Sequence, residues 1–172
     1  MTQTARIVLQ DATHALLRHT DQLQCEEFRI SWFAVVGLLR TVGHALDKVD
    51  SCKSDGLGTA VAHKWKELTG SRPEPELFLG FIEHERNRLL KNYEHGISRT
   101  LISRYSSGEK VMLFDAGNAQ GAILSNGTEI ESYISDGPFA GRSEVDVGWD
   151  AVRWWHSYLN EVDTLALTTS AA

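Results

Sequence analysis

The chain has 172 residues, is 42% hydrophobic and 23% charged, and carries a formal net charge of −6. That balance suits one globular domain whose core needs neither disulfide nor metal, and it argues against a constitutive, non-specific nucleic-acid binder, which usually carries the opposite sign. No apolar run of about eighteen residues is present to cross a membrane, and no apolar secretory core precedes Asp11, so a cytoplasmic protein without a membrane partner is expected.

The first predicted element is a helix over residues 4–22, which lack Pro and Gly. In the second, Phe28, Trp32, Val35, Leu39, Val42, Leu46 and Val49 recur at alternating steps of four and three, the pattern of a core-facing helix. Cys25 and Cys52 bracket this helix. At the helical rise they stand roughly 40 Å apart, too far for a disulfide or a shared metal. A third helix is expected over Gly58–Leu68, ended by the prolines of "TGSRPEPE". A fourth is expected from Pro75 to His95, with Gly96 as its terminator.

Beyond Gly96 the segments "KVMLFDAG", "GAILSNG" and "TEIESYIS" read as short strands, and Asn126-Gly127-Thr128 as a turn. Ser143 and Asp146 resemble a capping box opening a last helix. Its stripe is Trp149, Val152, Trp155, Leu159, Val162 and Ala166, with Trp154 and Tyr158 beside it. So many aromatics exceed one narrow seam, and the expectation is that part of this helix covers a neighbour or a second subunit. The fold class is therefore mainly α: an antiparallel helical bundle over 4–96, an irregular or β excursion over 97–142, and a C-terminal helix over 143–167, in one domain of 1–172.

The chemistry-bearing residues lie on the second and fourth helices. From His84 to Arg104 five Lys or Arg (Arg86, Arg88, Lys91, Arg99, Arg104) stand against two acids, a local excess compatible either with an anion site or with a solvated basic face. Phe78, Ile82, Arg86, Leu89 and Tyr93 share one face, which directs Arg86 inward. A buried guanidinium cannot neutralise itself and needs a carboxylate, carbonyls or water; Asp47 is a plausible partner. On the second helix Arg40 and His44 lie one turn apart beside Gly43, whose helical cost is offset either by close packing or by the wall of a site.

The stretches "SWFAVVGLLRTVGHALDKV", "HKWKEL" and "FLGFIEHERNRLLKNYEH" together resemble the HEPN proteins (higher eukaryotes and prokaryotes nucleotide-binding). The resemblance covers about residues 25–96 and implies an all-α bundle, often homodimeric. Many members are metal-independent ribonucleases of toxin–antitoxin or phage-defence systems; others are non-catalytic. Carried over, Arg86 and Asn87 match the arginine–polar pair. Where the histidine is expected stand Lys91, Asn92 and Tyr93; the nearest histidine is His95. Arg88, seven positions before His95, is the alternative arginine and shares a face with it.

Two readings follow. As an enzyme, Arg86 or Arg88 would hold a phosphate, Asn87 orient it and His95 move the proton, without a cofactor or metal, across a homodimer. As a non-catalytic module, the chain would use the Arg86–Asn87 pair to fix the bundle or bind an anion, with Arg40, His44 and Lys91 as binding residues toward RNA or a partner protein and the Trp-rich last helix for assembly. A third possibility is an antitoxin- or immunity-type partner of another protein.

Overall fold

A computed structural model describes residues 1–23, 25–70, 76–104, 110–115 and 128–169. Among them are five α-helices and a three-stranded antiparallel sheet. Helix α1 (Gln3–Arg18) packs against α2 (Cys25–Ala45). A π-helical turn (Leu46–Asp50) and a 3-10 turn (Ser51–Lys53) lead into α3 (Asp55–Gly70). A π-helical stretch (Glu76–Glu83) runs directly into α4 (His84–Asn92). The strands β1 (Ile97–Arg104), β2 (Lys110–Asp115) and β3 (Thr128–Ile134) follow, then a 3-10 turn (Gly137–Phe139) and α5 (Glu144–Thr169). The mainly helical bundle with a small β excursion before a C-terminal helix is the predicted architecture. The expected strand at 121–127, its Asn-Gly turn and the prolines at 73 and 75 lie outside the described residues.

The predicted stripe of α2 is buried from Phe28 to Leu46, then breaks. Val49 is 45% exposed and Asp50 is 0% exposed. The π-helical turn adds a residue to the repeat and rotates the next position out of phase. Asp50 thereby reaches the start of α1, where Oδ1 accepts the Thr4 N–H at 3.0 Å and Oδ2 accepts that of Ala5 at 2.8 Å. Asp163 of α5 holds the preceding residue, accepting the N–H of Thr2 at 2.8 Å and its hydroxyl at 3.0 Å. The N–H groups of Thr2, Thr4 and Ala5 are thus satisfied by carboxylates from two other elements, and that of Gln3 by Met1 O at 2.9 Å.

The fourth helix ends sooner than expected. Tyr93 adopts a left-handed conformation (φ 56°) and its N–H bonds Leu89 O at 3.1 Å, so the helix stops at Asn92. The Arg29 guanidinium lies 5.2 Å over the Tyr93 ring. Gly96 serves close approach instead: a Cβ there would collide with Arg88 Nη1 and sit 2.8 Å from Glu85 Oε2.

Strand β1 lies at the centre of the sheet, in the order β2-β1-β3. Ile97 faces Ile134, Arg99 faces Ser132 and Leu101 faces Ile130. Ile97, Arg99, Ile130 and Ile134 are buried, so one face of the pleat closes the end of the bundle. Strand β1 is not legible in the sequence, because a buried arginine interrupts its apolar alternation.

The aromatic surplus of α5 is absorbed within the chain. Trp155 and Tyr158 are buried, and Trp154 stacks on Tyr158 with centroids 5.2 Å apart. Phe78 meets Trp154 at 5.6 Å and Trp155 at 5.8 Å. Their burial therefore requires no second subunit.

Candidate anion-binding cleft

Residues 33, 37, 40, 41 and 44 fall on one side of α2 through steps of three and four. There Phe33, Gly37, Arg40, Thr41 and His44 face Arg86, Leu89 and Leu90 of α4 across a cleft of about 190 Å³. Three of the residues nominated from sequence, Arg40, His44 and Arg86, thus converge from two helices.

Arg86 is not on the buried stripe. Phe78, Phe81, Ile82, Glu85 and Leu89 form that stripe, and Arg86 is half-buried at the rim. From Ile82, steps of three and of four both remain on one helix face. Hydrogen-bond donors break the tie in favour of Glu85, whose Oε1 accepts Trp32 Nε1–H at 2.9 Å and the Gly96 N–H at 2.8 Å. Arg86 Nη1 donates to Asn87 Oδ1 at 2.8 Å and forms no ion pair with a carboxylate among the described residues. The anticipated partner Asp47 instead pairs with Lys48 at 2.8 Å.

Arg40 spans the gap between α2 and the π-helical stretch. Its Nη2 lies 4.0 Å from Glu83 Oε1, the guanidinium sits 5.5 Å over the Phe78 ring, and Nε has no acceptor among the described residues. Partial burial lowers the pKa of His44, and the positive charges of Arg40 and Arg86 lower it further, with Asp47 opposing. The imidazole is therefore neutral at pH 7, offering one donor and one acceptor beside two guanidiniums.

His95 is placed elsewhere. Its ring meets Phe28 edge-on at 5.7 Å, and burial, with Arg99 and Arg29 nearby, lowers its pKa against the opposing charge of Glu85. It does not line the cleft. Arg88 pairs with Asp136, while Lys91 is exposed. Gly43 serves packing: a Cβ there would lie 3.2 Å from Trp155 Cη2.

Two buried polar groups are not legible in the sequence. Arg99, 3% exposed, is deeply buried, a role its place in the basic segment does not reveal: Nη2 donates to Asp21 O at 2.6 Å and Leu23 O at 2.7 Å, and the guanidinium stacks 4.0 Å over Phe28. It ties β1 to the α1–α2 turn. The second group is Ser31, His19 and Glu144. Ser31 Oγ lies 3.1 Å from His19 Nδ1, and His19 Nε2 lies 3.6 Å from Glu144 Oε1. Burial raises the Glu144 pKa, but His19, Ser132 and its own backbone N–H together hold it below the usual carboxylate range. The order is that of a hydrolase triad, yet the His19 side chain is 0% exposed and Ser31 sits inside a helix whose N–H groups are already engaged. Without free donors for an oxyanion, the group acts as a strap between α1, α2 and α5.

Among the described residues no three His, Cys, Asp or Glu side chains cluster as metal ligands. No family model, curated protein or solved structure matches the chain.

Proposed function

We propose that the chain is a HEPN-like helical module that binds a phosphodiester of RNA in the cleft between α2 and α4, without cleaving it. The observation carrying this reading is the convergence of Arg40 and Arg86 with a neutral His44, where Arg86 has no described carboxylate partner. Guanidiniums suit phosphate because their planar fork donates to two oxygens. His95, the proton carrier of the enzyme reading, faces Phe28 and Glu85 instead. Two copies pair in this reading, with the exposed Leu90 of the cleft wall and the exposed Ile30 of α2 and Tyr93 at the end of α4 as the contact; Leu90→Asp then lowers the mass measured by light scattering.

One observation favours a second reading, a metal-independent endoribonuclease. His44 is neutral and accessible beside Arg86, as a general base for a 2′-hydroxyl must be. Labelled single-stranded RNA incubated with the protein in EDTA separates the two. Binding without cleavage, lost in Arg86→Gln, supports the module. Cleavage lost in both Arg86→Gln and His44→Ala supports the enzyme, and absence of binding overturns both.

A further inference from the structure

Phe28 is ringed by three basic side chains. The Arg99 guanidinium stacks 4.0 Å over it, the His19 ring lies 4.5 Å away and the His95 ring 5.7 Å. The two histidines meet different company. His19 Nε2 stands 3.6 Å from Glu144 Oε1, so a proton there finds a carboxylate. His95 faces Glu85 of α4, but also Arg99 of β1 and Arg29 of α2. Glu85 is already committed, since its Oε1 accepts both the Trp32 indole N–H at 2.9 Å and the Gly96 N–H at 2.8 Å. Arg99 answers in turn to Cys25, Glu144 and Asp21. A proton on His95 therefore adds a third cation beside two guanidiniums in a half-buried place. Burial and those two charges lower its pKa against Glu85 and the Ile97 backbone.

His95 sits in the link between α4 and β1, where the sheet is seated on the helices. Arg99 Nη2 donates to Asp21 O and Leu23 O, Ser132 Oγ donates to Glu144 Oε1 at 2.7 Å, and the Gly96 N–H reaches Glu85. Ile97 and Ile134 complete the seat in the apolar core. The His95 side chain is half-buried, so solvent reaches it and a small outward movement restores its hydration. Two residues earlier Tyr93 holds a left-handed conformation, which is unfavourable for an L side chain, so the link also gains by relaxing.

We propose that residues 93–96 form an acid-released latch: a proton on His95 frees the link and loosens the sheet from its seat while the helical core stays folded. The latch is independent of the RNA cleft, whose Arg86 and His44 take no part. Linkage sets the sign. The undocked histidine titrates near its ordinary 6.5 and the docked one below it, so docking is complete above 6.5 and weakens as pH falls toward the docked value.

Hydrogen exchange followed by NMR from about pH 7.5 to 5.5, corrected for the intrinsic chemical rate, tests the latch. Protection of the Gly96 amide is expected to fall at least about threefold below pH 6.5. The Trp32 indole N–H, on the same Glu85 oxygen, and the Val35 and Leu39 amides inside α2 keep theirs. His95→Gln, which cannot take the charge, abolishes the loss, and His44→Gln leaves it. Arg29→Gln removes one opposing cation from a half-buried position and makes the loss smaller, a second variant that leaves His95 in place. Constant protection at Gly96, an equal loss inside α2, or a loss indifferent to His95→Gln or to Arg29→Gln would overturn the proposal.

Discussion

Glu85 Oε1 accepts the Trp32 indole N–H at 2.9 Å, deep between α4 and α2, and the same oxygen accepts the Gly96 N–H at 2.8 Å. One carboxylate therefore joins two helices and the start of the sheet. It also sets the rotation of α4 that leaves Arg86 at a cleft instead of in the core. Glu85→Ala strands two buried donors and opens a void. A loss of about 3 kcal/mol is expected in chemical denaturation. A loss below about 1 kcal/mol would mean that the junction is held by packing alone.

Asp50 and Glu144 make stability depend on acid. Burial raises the pKa of Asp50, but the Ala5 N–H, Lys53 and Thr4 more than offset it, and the net shift is downward; Glu144 is shifted the same way. For a carboxylate with a depressed folded pKa, the contribution is complete above its unfolded value, 3.8 for Asp50 and 4.5 for Glu144, and is lost as pH falls through the folded one. Urea midpoints are expected to decline gently below about pH 6.5, where the depressed pKa values of His44 and His95 make the unfolded chain bind protons first, and to fall further below about pH 5 as the two carboxylates protonate. Asp50→Asn should flatten that fall and lower stability at pH 7 by about 1–2 kcal/mol through the weakened cap of α1. An unchanged pH slope would remove Asp50 from the account.

The charge environment of His44 can be read directly by NMR titration. Arg40 and Arg86 both lower its pKa and Asp47 raises it. Arg86→Gln and Arg40→Gln should each move the titration upward, and Asp47→Asn downward. Because burial is the largest cause, neither arginine variant restores the ordinary value fully. A pKa indifferent to Arg86→Gln would place Arg86 outside the cleft.

Two glycines six positions apart on α2 should respond oppositely to alanine. At Gly37 a Cβ meets nothing within 4 Å, whereas at Gly43 it lies 3.2 Å from the Trp155 ring. Gly37→Ala is expected to raise stability by about 0.5–1 kcal/mol through helix propensity. At Gly43 the same gain is opposed by a tryptophan wedged among Phe78, Trp154 and Tyr158, so the melting temperature should stay level or fall. Equal stabilisation at both sites would show that Trp155 yields.

What the sequence alone determined was the set of helices. Periodicity placed the helices, and the β excursion fell between the fourth helix and the last, although its first strand, β1, was not foreseen and α4 stopped at Asn92 ahead of Gly96. Local pattern suffices there because a stripe of apolar residues recurring at three and four has one way to be buried. Arg40, His44 and Arg86 were also legible, because charged residues beside an apolar seam are conspicuous. The tertiary structure alone decided which of them meet. The step from Ile82 to Glu85 or to Arg86 is a near tie on a helix face, and donors brought by Trp32 and Gly96 from distant parts of the chain resolved it. The π-helical turn at Leu46–Asp50 exchanged Val49 for Asp50, an exchange no α-periodic reading can register. Arg99 was buried by carbonyls of Asp21 and Leu23, more than seventy residues away in the chain. Side-chain periodicity is a property of one element, whereas the fate of a charge depends on which partner reaches it, and that is fixed only when the elements pack.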